Sequence, residues 1–145
     1  MIELRKWVIV ERPMAEVYSY LSDPDNIPKY VGPVHRIHGM TTEKLETGTR
    51  LSVEAHFLGI KFNQRAECTH HEPPHRFETR SVGGRFYFEA GFTLHHDPGG
   101  TRVEGWGNAS SPGLFRVAEP LLHYFIDRQV DADLRRMKAA LTARV

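Results

Sequence analysis

Five of the nine histidines fall in two short stretches, His70-His71 with His75 and His95-His96. Imidazole is the commonest ligand for transition metals, and three such rings around an open coordination position would make a catalytic zinc centre. The segments that carry them alternate apolar and polar residues, so the five rings are expected at the ends of neighbouring antiparallel strands, on one sheet edge. Adjacent histidines on a strand point to opposite faces, however, and only Glu72 and Asp97 stand close as carboxylates. Solvated strand ends account for the cluster better than a metal centre, and no metal is assigned. The single Cys68 has no partner for a disulfide and no second thiolate for a zinc finger. Catalytic-triad, P-loop, dinucleotide-binding and HExxH motifs are absent, and Gly83-Gly84 reads as a hairpin turn and not a phosphate cradle. No catalytic residue and no cofactor is assigned.

The elements that must position these residues follow from periodicity. Residues 2–11 are rich in β-branched side chains and read as a strand ending at Arg12-Pro13, and Pro13 suits the start of a helix. Met14, Val17, Tyr18 and Leu21 then recur at helical spacing as far as Ser22-Asp23-Pro24, and a short helical turn over 25–30 precedes Gly32-Pro33. From 34 to 110 the period is two, with turn signals at Gly48, Leu58-Gly59, Pro73-Pro74, Gly83-Gly84 and Asp97-Pro98-Gly99-Gly100, which predicts six further strands.

Short turns set a register. Ala55 is expected opposite Phe62, Ala66 opposite Ser81, Cys68 opposite Thr79, Thr79 opposite Phe88, Phe77 opposite Ala90 and Phe92 opposite Gly105. One face then gathers Leu51, Val53, Ala55, Phe57, Phe62, Ala66, Phe77, Phe86, Phe88, Phe92, Leu94 and Val103, together with Gln64, Cys68, His70, Thr79 and Ser81. The other gathers charged residues such as Glu67, Arg76, Glu78, Arg80, Glu89, Arg102 and Glu104. A slip of one residue in any hairpin would reverse the faces, so agreement among four hairpins supports the assignment. Residues 112–145 supply a helix with two apolar stripes. Leu114, Val117, Ala118, Leu121, Leu122 and Phe125 are expected over the hollow of the sheet, with a bend at Pro120 as one option. Ile126, Val130, Leu134, Met137 and Leu141 are expected against the first strand. Trp7, Tyr87 and Trp106 are expected to support the core.

Composition narrows the function classes. The charge is +1, from 19 Lys and Arg against 18 Asp and Glu, so nothing marks a nucleic-acid partner. No window approaches the roughly 20 apolar residues of a membrane span, and no secretion signal is visible. A cytoplasmic location is expected, and a homodimer is compatible with this reading.

The order of strand, two short helices, six strands and a long helix is that of the helix-grip fold. The segments 8–18 (VIVERPMAEVY), 21–24 (LSDP), Gly48-Thr49-Arg50, Gly100-Thr101-Arg102-Val103 and 131–138 (DADLRRMK) agree with it. The chain resembles the START-like (SRPBCC) superfamily in its bacterial polyketide cyclase/dehydrase and lipid-transport branch, over nearly its whole length. That branch also holds coenzyme-Q-binding proteins and an accessory protein type of carbon monoxide dehydrogenase. The resemblance implies one α+β domain over 1–145, with a curved antiparallel sheet of seven strands wrapped around the C-terminal helix. It also implies a cavity between them for a lipophilic small molecule of lipid, polyketide or isoprenoid type. Apolar walls with a few placed polar groups suit such a ligand. On the expected register the contacting residues are Tyr30, Phe57, Phe62, Gln64, Phe77, Thr79, Ser81, Phe88, Phe92, Gly105, Leu121 and Phe125. Tyr30, Val31 and Pro33 would stand at the mouth. An aromatase/cyclase or dehydratase could use the same cavity, with His38 or His70 as base and Tyr30, Ser81 or Gln64 as donor. An accessory or assembly role, like that of the carbon monoxide dehydrogenase type, is a third reading.

Overall fold

A computed structural model describes residues 2–57, 59–83, 87–110 and 119–143. The described elements are, in order, β1 (Ile2–Val10), α1 (Met14–Ser22), α2 (Ile27–Tyr30), β2 (Val34–His38), β3 (Arg50–Phe57), β4 (Ile60–Glu72), β5 (Arg76–Ser81), β6 (Tyr87–Asp97), β7 (Gly100–Ser110) and α3 (Glu119–Thr142). The strands form one antiparallel sheet in the order β1-β7-β6-β5-β4-β3-β2. This is the helix-grip arrangement that the element order predicts. Phe86, Leu114, Val117 and Ala118 lie outside the described residues, as do the side chains of Phe57 and Leu122.

The register agrees with expectation at Ala55–Phe62, Ala66–Ser81, Cys68–Thr79 and Phe92–Gly105. It departs from it twice. Between β5 and β6 the connection is longer than two residues, since β5 ends at Ser81 and β6 begins at Tyr87. Phe77 therefore pairs with Phe92, and Thr79 with Ala90. A shift of two leaves every side chain on its expected face. The second departure does change faces. A bulge leaves Thr69 unpaired between Cys68–Thr79 and His70–Glu78, and one extra residue reverses the alternation beyond it. His70 is consequently on the charged outer face, 3.0 Å from Glu78, and His71 is on the inner face.

His71 ties this hairpin to α1. The Tyr18 hydroxyl donates its one proton to the Arg76 carbonyl at 2.9 Å, so it must accept from His71 Nδ1 at 2.8 Å, which assigns the proton to that ring nitrogen. The other faces of α1 follow the predicted stripe: Met14, Val17, Tyr18 and Leu21 are all buried.

The helix α3 resolves the competition between its two stripes. Val130 and Leu134 pack on the core and Met137 and Leu141 are wholly buried, whereas Leu121 is 58% and Phe125 39% exposed. The expectation that Leu121 and Phe125 cover the hollow is thus overturned. Leu121 precedes Val130 by nine residues, two and a half turns at about 3.6 residues per turn, and so lies on the opposite side of the helix. Pro120 is the second residue of the described part of α3, and residues 111–118, which carry the rest of the first stripe, lie outside the described residues. Trp7 (59% exposed) and Tyr87 (40%) are also outside the core they were expected to support. Trp7 stands on the outer face beneath the Arg102 guanidinium.

Polar contacts fix where α3 lies. Lys6 of β1 reaches Asp127 at 2.8 Å and Asp131 at 3.1 Å, and the Asp127 carboxylate foremost raises its ammonium above the ordinary range. At the other end Arg12 Nε donates to the Leu141 carbonyl at 2.9 Å, where the last carbonyls of a helix lack partners. Replacing the wholly buried Leu141 by Ala should remove about 2–5 kcal/mol of stability. Urea unfolding should show this as a lower midpoint at unchanged slope, and a midpoint like that of the wild type would deny α3 this place in the core.

Candidate functional site

Between the inner face of the sheet and the helices lies a cavity of about 360 Å³. The sheet supplies Val34, Leu51, Val53, Ala66, Phe77, Phe88, Ala90, Phe92, Gly105 and Gly107; the α2 region supplies Ile27, Tyr30 and Val31; and α3 supplies Ile126, Val130, Asp133 and Leu134. Small residues on the sheet make the space. A side chain built on Gly107 would meet only ordinary contacts, 3.6 Å to Glu89 O and 3.8 Å to Ala90 Cβ, whereas at Gly105 the Phe92 ring is already 3.3 Å away.

Of the residues expected on sequence grounds to contact a ligand, Tyr30, Phe77, Thr79, Phe88, Phe92 and Gly105 stand in this wall. Phe62, Gln64, Ser81, Leu121 and Phe125 do not. Phe62 pairs with Ala55 beyond the end of the cavity, and Leu121 and Phe125 face away on α3. The Phe57 side chain is outside the described residues. Tyr30 is 2% exposed and donates its hydroxyl to the Leu21 carbonyl at 2.7 Å, with its ring edge-on to Phe92. Burial pushes that phenol well above its ordinary range. Ser81 Oγ accepts the Phe88 N–H at 3.0 Å, and Gln64 Nε2 donates to the Gly83 and Arg65 carbonyls. Cys68 is fully buried with its thiol pushed up to about 11 by desolvation, so it is no nucleophile at neutral pH.

The histidines separate. His70 pairs with Glu78, His71 with Tyr18 and His95 with Glu104 at 3.8 Å, while His38 lies 3.6 Å from Glu54. Among the described residues no three His, Cys, Asp or Glu side chains are grouped to hold a metal ion. Neither imidazole suggested as a base, His38 or His70, lines the cavity.

The residue that sequence reasoning missed is Asp133. Its carboxylate, in the cavity wall, accepts from the Gly32 N–H at 3.0 Å, from Gln129 Nε2 at 2.8 Å and from Arg136. It thereby joins α3 to the segment leaving α2. A usable signal was present: Asp133 follows Val130 by three residues and precedes Leu134, which puts a charge on the border of the apolar stripe. Burial pushes its carboxyl above the ordinary 3.8, against the pull of the Gly32 N–H, Gln129 and Arg136.

A model of the family described as polyketide cyclase / dehydrase and lipid transport matches residues 1–142. The chain belongs to that family. No curated protein matches it in sequence. Among solved structures, TTHA0849 from Thermus thermophilus superposes with a TM-score of 0.77 at 19% identity, covering 98% of this chain and 97% of that one. A conserved protein from Geobacillus kaustophilus gives 0.78 at 14% identity, over 97% and 95%. The di-domain ARO/CYC StfQ from the steffimycin biosynthetic pathway gives 0.76 at 14% identity, with 99% of this chain matching 52% of that one. At these identities the likeness is one of fold. Among the described residues no helix is long and apolar enough to cross a membrane.

The Asp133 shift has a consequence with a definite sign. A carboxyl whose folded pKa is raised binds more protons folded than unfolded, so its contribution to stability is full below the ordinary 3.8 and is lost as pH rises through the folded value. Asp133→Asn removes this titration and keeps an oxygen for the Gly32 N–H. Between about pH 4 and about pH 6.5 the stability difference should move in favour of the Asn variant. Urea midpoints measured at both ends check it, and a constant difference, or one moving towards the wild type, contradicts the raised carboxyl.

Proposed function

We propose that this chain binds a lipophilic small molecule of lipid, polyketide or isoprenoid type in the cavity between sheet and α3, as a carrier and not a catalyst. The observation that carries the reading is the cavity itself: about 360 Å³, within the usual range for small-molecule sites, and walled mainly by aliphatic and aromatic side chains. Tyr30, Phe77, Thr79, Phe88, Phe92 and Gly105 are its proposed contacts. Transfer of apolar surface from water into such a site is favourable by roughly 25 cal/mol per Å², so shape and area would supply most of the affinity.

The polar groups support carriage over turnover. Cyclisation or dehydration of a keto chain needs a base beside an acidic C–H and a donor for the enolate oxygen. The Tyr30 and Asp133 side chains in the wall are already engaged by main chain or neighbouring side chains.

Protein from its own host, subjected to native mass spectrometry and solvent extraction, should release an intact lipophilic molecule. In titrations with anilinonaphthalene sulfonate, Gly107→Ile should fold normally, because its Cβ meets nothing closer than 3.6 Å, and bind at least about tenfold more weakly as its side chain fills the cavity. Wild-type protein that takes up neither the dye nor any extractable molecule would defeat the carrier reading.

A further inference from the structure

The polar side chains of the cavity wall are not equally engaged. Tyr30 gives its hydroxyl to the Leu21 carbonyl, and the Asp133 carboxylate takes donors from Gly32, Gln129 and Arg136. Glu89 and Asn108 alternate with the wall residues Ala90 and Gly107, and Trp106 lies between Gly105 and Gly107, so these three side chains are on the outer face. Thr79 is different. It stands on β5, the fourth of the seven strands, opposite Cys68 and Ala90, which puts its side chain on the inner face. Among the described residues its hydroxyl has no hydrogen-bond partner. Gln64 Oε1 and Arg102 Nε lack one too, but those atoms are sealed in the protein. The Thr79 oxygen is not, and the open space on its side of the sheet is the cavity. An apolar wall gains nothing from a hydroxyl where the isosteric valine would serve, unless something meets that hydroxyl. The wall also limits what that can be. Among the described residues no Lys, Arg or His lines the cavity, and the charged group it does hold, Asp133, is an anion.

We propose that the Thr79 hydroxyl donates a hydrogen bond to the ligand, which presents an uncharged carbonyl or hydroxyl oxygen to the middle strand and lays its apolar body over the small residues beside it, Ala66, Ala90 and Gly107. A hydrocarbon of the same shape leaves the hydroxyl unmatched, and an ionised carboxylate in that place meets no cation. This rests on the carrier reading above.

Calorimetric titration at neutral pH with methyl naphthyl ketone, ethylnaphthalene and naphthoate, all substituted at the same ring position, tests it. Wild-type protein should bind the ketone at least about tenfold more tightly than the carboxylate. Thr79→Val, of the same shape, should lower the ratio of ketone to hydrocarbon affinity about fivefold, the size of one hydrogen bond, through the ketone alone. Thr79→Ser keeps the hydroxyl and should keep the ratio. An unchanged ratio in the Val variant overturns the role of Thr79 while the cavity stands, and naphthoate bound as tightly as the ketone overturns the uncharged class. Binding of none of the three by the wild type removes the carrier reading and this inference with it. Where circular dichroism shows the Val variant misfolded, Thr79→Ala gives the same ratio test.

Discussion

A sheet with one apolar face has to be covered, and a single helix cannot do it here. Seven strands about 4.8 Å apart span roughly 29 Å, whereas a helix with its side chains is about 10–12 Å across. The sheet reduces the mismatch by curving around α3, and α1 and α2 close the side towards β2 and β6. Lys6 against Asp127 and Asp131, and Arg12 against the end of α3, hold the helix towards β1. Space is left between α3 and the middle strands because the residues that would fill it are small: Ala66, Ala90, Gly105 and Gly107. The cavity is thus a consequence of where α3 is tethered and of four positions without bulk. Most of the rest of the site is passive wall.

That logic explains which parts of the structure were legible in the sequence. Alternation determines a face only modulo two, so the unexpected length of the β5–β6 connection changed no face: Phe77 and Phe92 are inner residues under either register. The bulge at Thr69 changes parity, and nothing in Cys-Thr-His-His-Glu distinguishes an unpaired Thr from a paired one. His70 and His71 were exchanged between faces for that reason. Helical phase was ambiguous in a different way. Two apolar stripes on one helix compete for one sheet, and the outcome depends on tethers far away in sequence, such as Lys6, which periodicity does not encode. Of the expected contacts that stand outside the wall, Leu121 and Phe125 trace to that competition.

Polar groups on the inner face obey a stricter rule than the apolar ones. Each buried donor or acceptor must find a partner, and in a wall this apolar the partners are main-chain groups or neighbours on the same element. Tyr30 serves α1, Ser81 serves β6, and Asp133 serves both its own helix and Gly32. Their chemistry is absorbed by the fold. Asp133 shows the strain in this arrangement, since its burial raises its carboxyl while three donors only partly offset the loss of water. The carboxylate links α3 to the α2–β2 segment through the Gly32 N–H.

The motifs that marked the family follow the same rule. Gly48-Thr49-Arg50 and Gly100-Thr101-Arg102 look like functional signatures, yet both threonines are wholly buried and both hydroxyls are structural. Thr101 donates to the Arg12 carbonyl at 2.7 Å, and Thr49 accepts the Glu46 N–H at 3.0 Å. Gly100 adopts φ 130°, and a Cβ there would stand 2.3 Å from the Val10 carbonyl, so the turn into β7 can pass β1 only as glycine. These positions constrain how β1, α1 and β7 meet. None of them lines the cavity. The two Gly-Thr-Arg turns that help to identify the fold therefore stand outside the cavity, whereas the segment 131–138 supplies Asp133 and Leu134 to its wall. The turns carry the meeting of β1, α1 and β7, and the wall is carried mainly by aliphatic and aromatic side chains whose type alternation fixes and whose identity it does not.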